Sequence, residues 1–79
     1  MDKTRVIFRT WDSGDVIALF PDIDEGRGHC SSYEHIGQHG PADYGFVVRD
    51  TRPATADEYA ALKAELTSIG YDLDIKKRR

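Results

Sequence analysis

Cys30-Ser31-Ser32-Tyr33-Glu34-His35-Ile36-Gly37-Gln38-His39-Gly40-Pro41-Ala42-Asp43-Tyr44 is the stretch whose reading decides the fold. It holds the only cysteine, two of the three histidines and two of the four tyrosines of a 79-residue chain. A helix here would have to tolerate Gly37 and Gly40, each costing about 1 kcal/mol relative to alanine, with Pro41 close behind. It would also set His35 and His39 on one face. A strand from Cys30 to Gly37 alternates instead, with Cys30, Ser32, Glu34 and Ile36 on one side and Tyr33, His35 and Gly37 on the other. The strand is the better reading, and Gly37 to Asp43 then becomes a loop.

Downstream, Tyr44 to Asp50 contains the β-favouring Phe46-Val47-Val48 and reads as a strand. Thr55 and Glu58 form a capping box behind Pro53, and Tyr59, Leu62, Leu66 and Ile69 recur at helical spacing. Gly70 is placed to end that helix, which should run over about 56–69. Tyr71, Leu73 and Ile75 alternate with Asp72, Asp74 and Lys76, the pattern of a strand with one wet face.

Upstream, Arg5 to Trp11 places Val6, Phe8 and Thr10 on one face and Ile7, Arg9 and Trp11 on the other. Val16 to Phe20 is almost continuously apolar, and Asp12-Ser13-Gly14-Asp15 between the two has the residues of a hairpin turn. Pro21 lacks the amide that a continuing central strand needs, so this strand should stop there. Pro21 to Gly28 reads as a polar turn; its Asp22, Asp24 and Glu25 lack the order of a calcium loop. With one helix available to cover a sheet, the expected fold is α+β: a small two-layer domain, residues 1–79, with a mostly antiparallel sheet of about four to five strands.

Charge narrows the partners. The net charge is −3, yet Lys76-Lys77-Arg78-Arg79 contributes four positive charges and leaves −7 on the preceding 75 residues. An acidic body argues against nucleic acid, which demands a basic surface. The short basic tail, 76–79, reads as a solvated terminus. No apolar run nears the roughly 20 residues that span a bilayer, and Met1 to Arg5 has no apolar segment of a signal peptide. A lone cysteine requires no oxidising compartment, so the expected location is the cytoplasm, with no membrane partner.

Three chemistries fit the central stretch. Cys30, His35 and His39 carry zinc-ligating atoms, but a second Cys-x-x-Cys element is missing. A Cys30 nucleophile with a histidine base and Asp43 as orienter can be written, without any sign of an oxyanion hole. Recognition without catalysis uses Tyr33, His35, His39 and Tyr44 as flat rings with polar tips, and Gly37 and Gln38 within the same surface. Strand parity separates Cys30 from His35 and favours recognition.

The motifs Gly14-Asp15-Val16-Ile17-Ala18-Leu19-Phe20-Pro21, Cys30 with Ser32-Tyr33, His35 and Gly37-Gln38-His39, Pro53-Ala54-Thr55 with Glu58-Tyr59, and Gly70-Tyr71 with Leu73 resemble a family of small hypothetical proteins of bacteria and their phages or mobile elements. The likeness covers almost the whole chain. That family has no established activity, so the resemblance implies an accessory role, such as host takeover or defence modulation, and assigns no site residue.

The expectation is therefore a small non-enzymatic binding module without a cofactor, meeting a protein or small-ligand partner through Tyr33, His35, Gly37, Gln38, His39 and Tyr44. The rivals are a zinc-stabilised domain built on Cys30, His35 and His39, and a nucleic-acid-binding accessory protein using Arg49, Arg52 and the tail.

Overall fold

The chain opens with the expected hairpin. β1 (Thr4–Trp11) and β2 (Val16–Gly26) pair antiparallel, with Ile7 opposite Leu19 and Thr10 opposite Val16. Gly14 adopts a φ of 95° in the turn between them, a left-handed conformation that favours glycine. The computed structural model describes residues 3–34 and 38–77, with Gln38 as backbone only.

β2 runs through Pro21 rather than stopping there. Its pairing with β1 covers Val16 to Leu19, and its pairing with β3 (His29–Glu34) breaks register between Phe20 and Asp24. Pro21 lies in that irregularity, where no regular ladder bond is asked of its missing amide. β2 and β3 meet at Gly26 and His29, and the intervening Arg27 and Gly28 have φ of 54° and 77°. That is a two-residue turn of the kind matched to strand twist.

The second half of the central stretch is also a strand. β4 (Gln38–Asp43) pairs antiparallel with β3, Tyr33 opposite His39, where a loop was expected. Tyr44 to Asp50, expected as a strand, is a short helix, α1. Asp43 caps it by accepting the Phe46 amide at 3.2 Å. Val47 is buried with Ile7, Ile17, Leu19, Cys30 and Ala42. Burial of that one residue and the cap outweigh the strand preference of Phe46, Val47 and Val48.

Arg9 finishes α1. It is only 8% exposed. Its Nη2 donates to the carbonyls of Val48 at 2.9 Å and Thr51 at 2.6 Å, and its Nε donates to the Thr51 hydroxyl at 2.9 Å. The Thr51 hydroxyl in turn donates to the Val47 carbonyl at 2.5 Å. Burial lowers the Arg9 pKa, while nearby Tyr44 opposes that shift. A guanidinium remains charged regardless, so it serves as a cation at the helix C-terminus.

The chain then adds β5 (Thr51–Pro53), α2 (Ala56–Ile69) and β6 (Leu73–Lys76). Among the described residues the sheet has six strands, in the order β4-β3-β2-β1-β5, with β6 also on β1. β5 lies antiparallel along Arg9 to Trp11 and β6 lies parallel along Thr4 to Ile7. The α+β class and the mostly antiparallel sheet are as expected. The second helix was not.

α2 has the expected bounds and capping box, and Gly70 ends it with a φ of 122°. Leu62 and Leu66 join Val6, Phe8, Ala18, Phe20 and Tyr33 in one buried cluster, while Tyr59 stacks on Phe8 at 4.5 Å. Ile69 departs from the expected stripe and is 53% exposed. The two clusters lie on opposite faces of the sheet, as the alternation of Val6 and Phe8 against Ile7 requires.

Two outcomes follow. Arg9→Met removes three hydrogen bonds, one of them to a hydroxyl that itself holds α1, and should cost about 3 kcal/mol. Urea unfolding followed by the fluorescence of Trp11, which packs on the same cluster as Val47, measures it. The second concerns acid. The Arg52 side chain, and then the Thr55 amide, hold the Glu58 carboxyl down at about 2 from an ordinary 4.5. A depressed folded pKa stabilises above the unfolded value and is lost as pH falls toward the folded one. The melting temperature of the native chain should therefore fall from pH 4.5 to 2 more steeply than that of Glu58→Gln.

Candidate functional site

A row of paired residues crosses the sheet on the α2 side. Phe8 lies opposite Ala18, Ala18 opposite Tyr33, and Tyr33 opposite His39 on the outer strand β4. Tyr33 is 1% exposed, yet its hydroxyl donates to Oε1 of Glu65 on α2. A buried phenol needs such a partner. Glu65 thus ties α2 to β3.

His39 stands at the wet end of this row. Its ring meets Tyr33 edge-on, with centroids 4.6 Å apart. Its Nε2 lies 3.0 Å from the Tyr71 hydroxyl, in a hydrogen bond whose direction depends on the imidazole tautomer. Tyr71 is fixed from below by stacking on Phe20 at 5.2 Å. The imidazole is exposed but held by two aromatic rings, one rooted through Glu65 and the other through Phe20.

The remaining residues of the expected surface do not join it. Tyr44 is half-buried on the other side of the sheet, against the cluster containing Cys30, Val47 and Ala42. Tyr33 contributes its burial and its hydrogen bond, and no exposed ring. His35 and Gly37 lie outside the described residues, as does the side chain of Gln38. What faces solvent is His39, bonded to the half-buried Tyr71. Tyr71 was missed because its partner lies 32 positions away.

The same geometry separates the proposed zinc ligands. Cys30 is 3% exposed and pairs with Ala42, on the face opposite Tyr33 and His39. Cys30 and His39 cannot reach one ion through the sheet, so the set Cys30, His35 and His39 does not assemble. A Cys30 nucleophile served by His39 fails for the same reason. Asp43, written as the orienter of that site, caps α1 through the Phe46 amide.

The cations of the nucleic-acid reading have other contacts. Arg52 donates to both carboxylate oxygens of Glu58, and the Arg49 guanidinium lies over the Phe46 ring at 5.2 Å. Arg5 holds Asp22 through both oxygens, at 2.7 and 2.5 Å. Hollows lie elsewhere, two of them bordered by aromatic rings of the sheet. One, of about 540 Å³, is bordered by Trp11, Asp12, Asp15, Glu34 and Asp50. Another, of about 630 Å³, lies beside Phe8, Pro53, Ala54, Tyr59 and Ile75. Neither includes His39 or Tyr71.

No helix among the described residues is long and apolar enough to cross a membrane. Compared with family models, curated proteins and solved structures, the chain matches none.

Tyr33 separates packing from the exposed His39. Tyr33→Phe should cost about 1–2 kcal/mol through the lost bond to Glu65, and Tyr33→Ala about 3–5 kcal/mol through the cavity it leaves. Chemical denaturation of both variants measures the difference. Similar values for the two would mean that the ring contributes little packing.

Proposed function

We propose that this chain is a small non-enzymatic binding module that engages a protein partner through the outer strand β4, with His39 and Tyr71 as its anchors. The observation that carries the reading is the exposed His39 ring held between Tyr33 and the Tyr71 hydroxyl. A side chain already fixed in one position loses little conformational freedom when a partner covers it. Aromatic rings with polar tips suit such an anchor, since they combine contact area with directional hydrogen bonds.

The open strand surface favours a protein over a small ligand, which is ordinarily enclosed in a cleft. Pro41 and Asp43, exposed beyond His39 on the same strand, extend the surface. Burial of Cys30 on the opposite face supports a non-catalytic role, because it parts the thiol from His39. The motif resemblance to small bacterial and phage proteins supports an accessory role.

A photo-crosslinking residue in place of Pro41 tests this in the producing cell, with one in place of Ile69 as control. Position 41 should give a discrete adduct that position 69 lacks. Adding His39→Ala should reduce its yield at least tenfold while the melting temperature changes little. An adduct that survives both His39→Ala and Tyr71→Ala, or equal labelling from position 69, would remove the reading.

A further inference from the structure

We infer that the outer edge of β6 is the seat of a symmetric homodimer, in which β6 of one copy pairs antiparallel with β6 of a second copy about a two-fold axis through Ile75. The surface is distinct from the one around His39. Three observations carry the inference: an open edge, its backbone phase and its order of charge.

Among the described residues β6 pairs only with β1, so its other side is an edge. The Thr4 amide donates to the Asp72 carbonyl at 2.7 Å, and the parallel register continues with Arg5 beside Asp74 and Ile7 beside Lys76. In a parallel ladder alternate residues direct their amide and carbonyl to the same neighbour. Asp72, Asp74 and Lys76 therefore spend theirs on β1. Leu73 and Ile75 present theirs outward.

The side chains supply the register. Leu73 and Ile75 pack on the α2-side cluster, which leaves Asp74 and Lys76 together on the other face, 3.6 Å apart at their charged atoms. Both are partly exposed, at 39% and 49% of their side chains. Acid thus precedes Ile75 and base follows it. An antiparallel pairing centred on Ile75 sets Asp74 of each copy opposite Lys76 of the other, twice over, at the closely spaced positions flanking a hydrogen-bonded Ile75 pair. A parallel pairing in register would instead oppose Asp74 to Asp74 and Lys76 to Lys76.

The apolar side agrees. Ile75 borders the hollow of about 630 Å³ beside Phe8, Pro53, Ala54 and Tyr59, which Lys76 and Lys77 also line, so Ile75 of the second copy would extend the apolar part of that wall. The contact is isologous, using the same residues on both copies, and it closes without leaving a free β6 edge to propagate. The far edge of the sheet is a poorer partner for β6, because β4 carries Pro41, which has no amide to give.

Sedimentation of native chain and charge variants tests the pairing. Native protein should shift from monomer to dimer mass as its concentration rises, and added salt should weaken the shift. Asp74→Lys and Lys76→Glu alone should each stay monomeric, having only like charges to oppose. An equal mixture of the two should form heterodimers, and the doubly exchanged chain should dimerise again. Amide exchange gives a reading without substitution: protection of the Ile75 amide should rise with concentration while that of Lys76, already turned toward β1, stays constant. Native protein that remains monomeric up to about 1 mM, where even a millimolar Kd shows, would overturn the inference. Dimers indifferent to both single reversals would overturn it too.

Discussion

β1 is apolar on both faces, and a strand of that kind must be covered twice. Val6 and Phe8 face one cluster and Ile7 the other, while β2 repeats the arrangement with Ala18 and Phe20 against Ile17 and Leu19. One long helix can cover only one side. The chain meets the remaining demand with seven residues, Tyr44 to Asp50, too short to persist as a helix alone. Asp43 at its start, Val47 in its middle and Arg9 beneath its end replace the stability that length would have given.

What could be read in advance follows from whether the cause is local. The capping box of Thr55 and Glu58, the spacing of Leu62 and Leu66, and Gly70 after them all act within one helix, and its bounds were legible. The hairpin turn at Gly14 and the alternation of Cys30 and Tyr33 were legible for the same reason. Tyr44 to Asp50 was misread because Phe46-Val47-Val48 carries a local preference for strand, whereas its cover role depends on Arg9, 39 positions from Val48. Pro21 was misread because the break that accommodates it belongs to the pairing of β2 with β3, which no window around Pro21 contains.

The site divides along the same line. Alternation alone parted Cys30 from Tyr33, and the pairing of Tyr33 with His39 extended the separation to the second histidine. Neither Glu65 nor Tyr71 could be joined to the central stretch from sequence, since each lies 32 positions from the residue it contacts. Their arrival changes what the stretch is. Tyr33 becomes the buried support, and His39 the residue that support holds in place.

That support also explains how a small sheet can keep a polar group in its core. The Tyr33 hydroxyl would be costly if buried unpaired, and Glu65 would gain little if paired only with water. Joined, they link α2 to β3 beside the apolar contacts that Leu62 and Leu66 make in the same cluster as Tyr33. Tyr71, just past the C-terminus of α2, then closes the same corner, stacked on Phe20 and bonded to His39. The exposed imidazole is therefore contacted from two sides, by the Tyr33 ring that Glu65 of α2 holds and by the Tyr71 hydroxyl that follows the helix. Loss of either contact would leave His39 in place on its strand but free to change rotamer, which is the difference between a fixed contact point and an ordinary surface histidine.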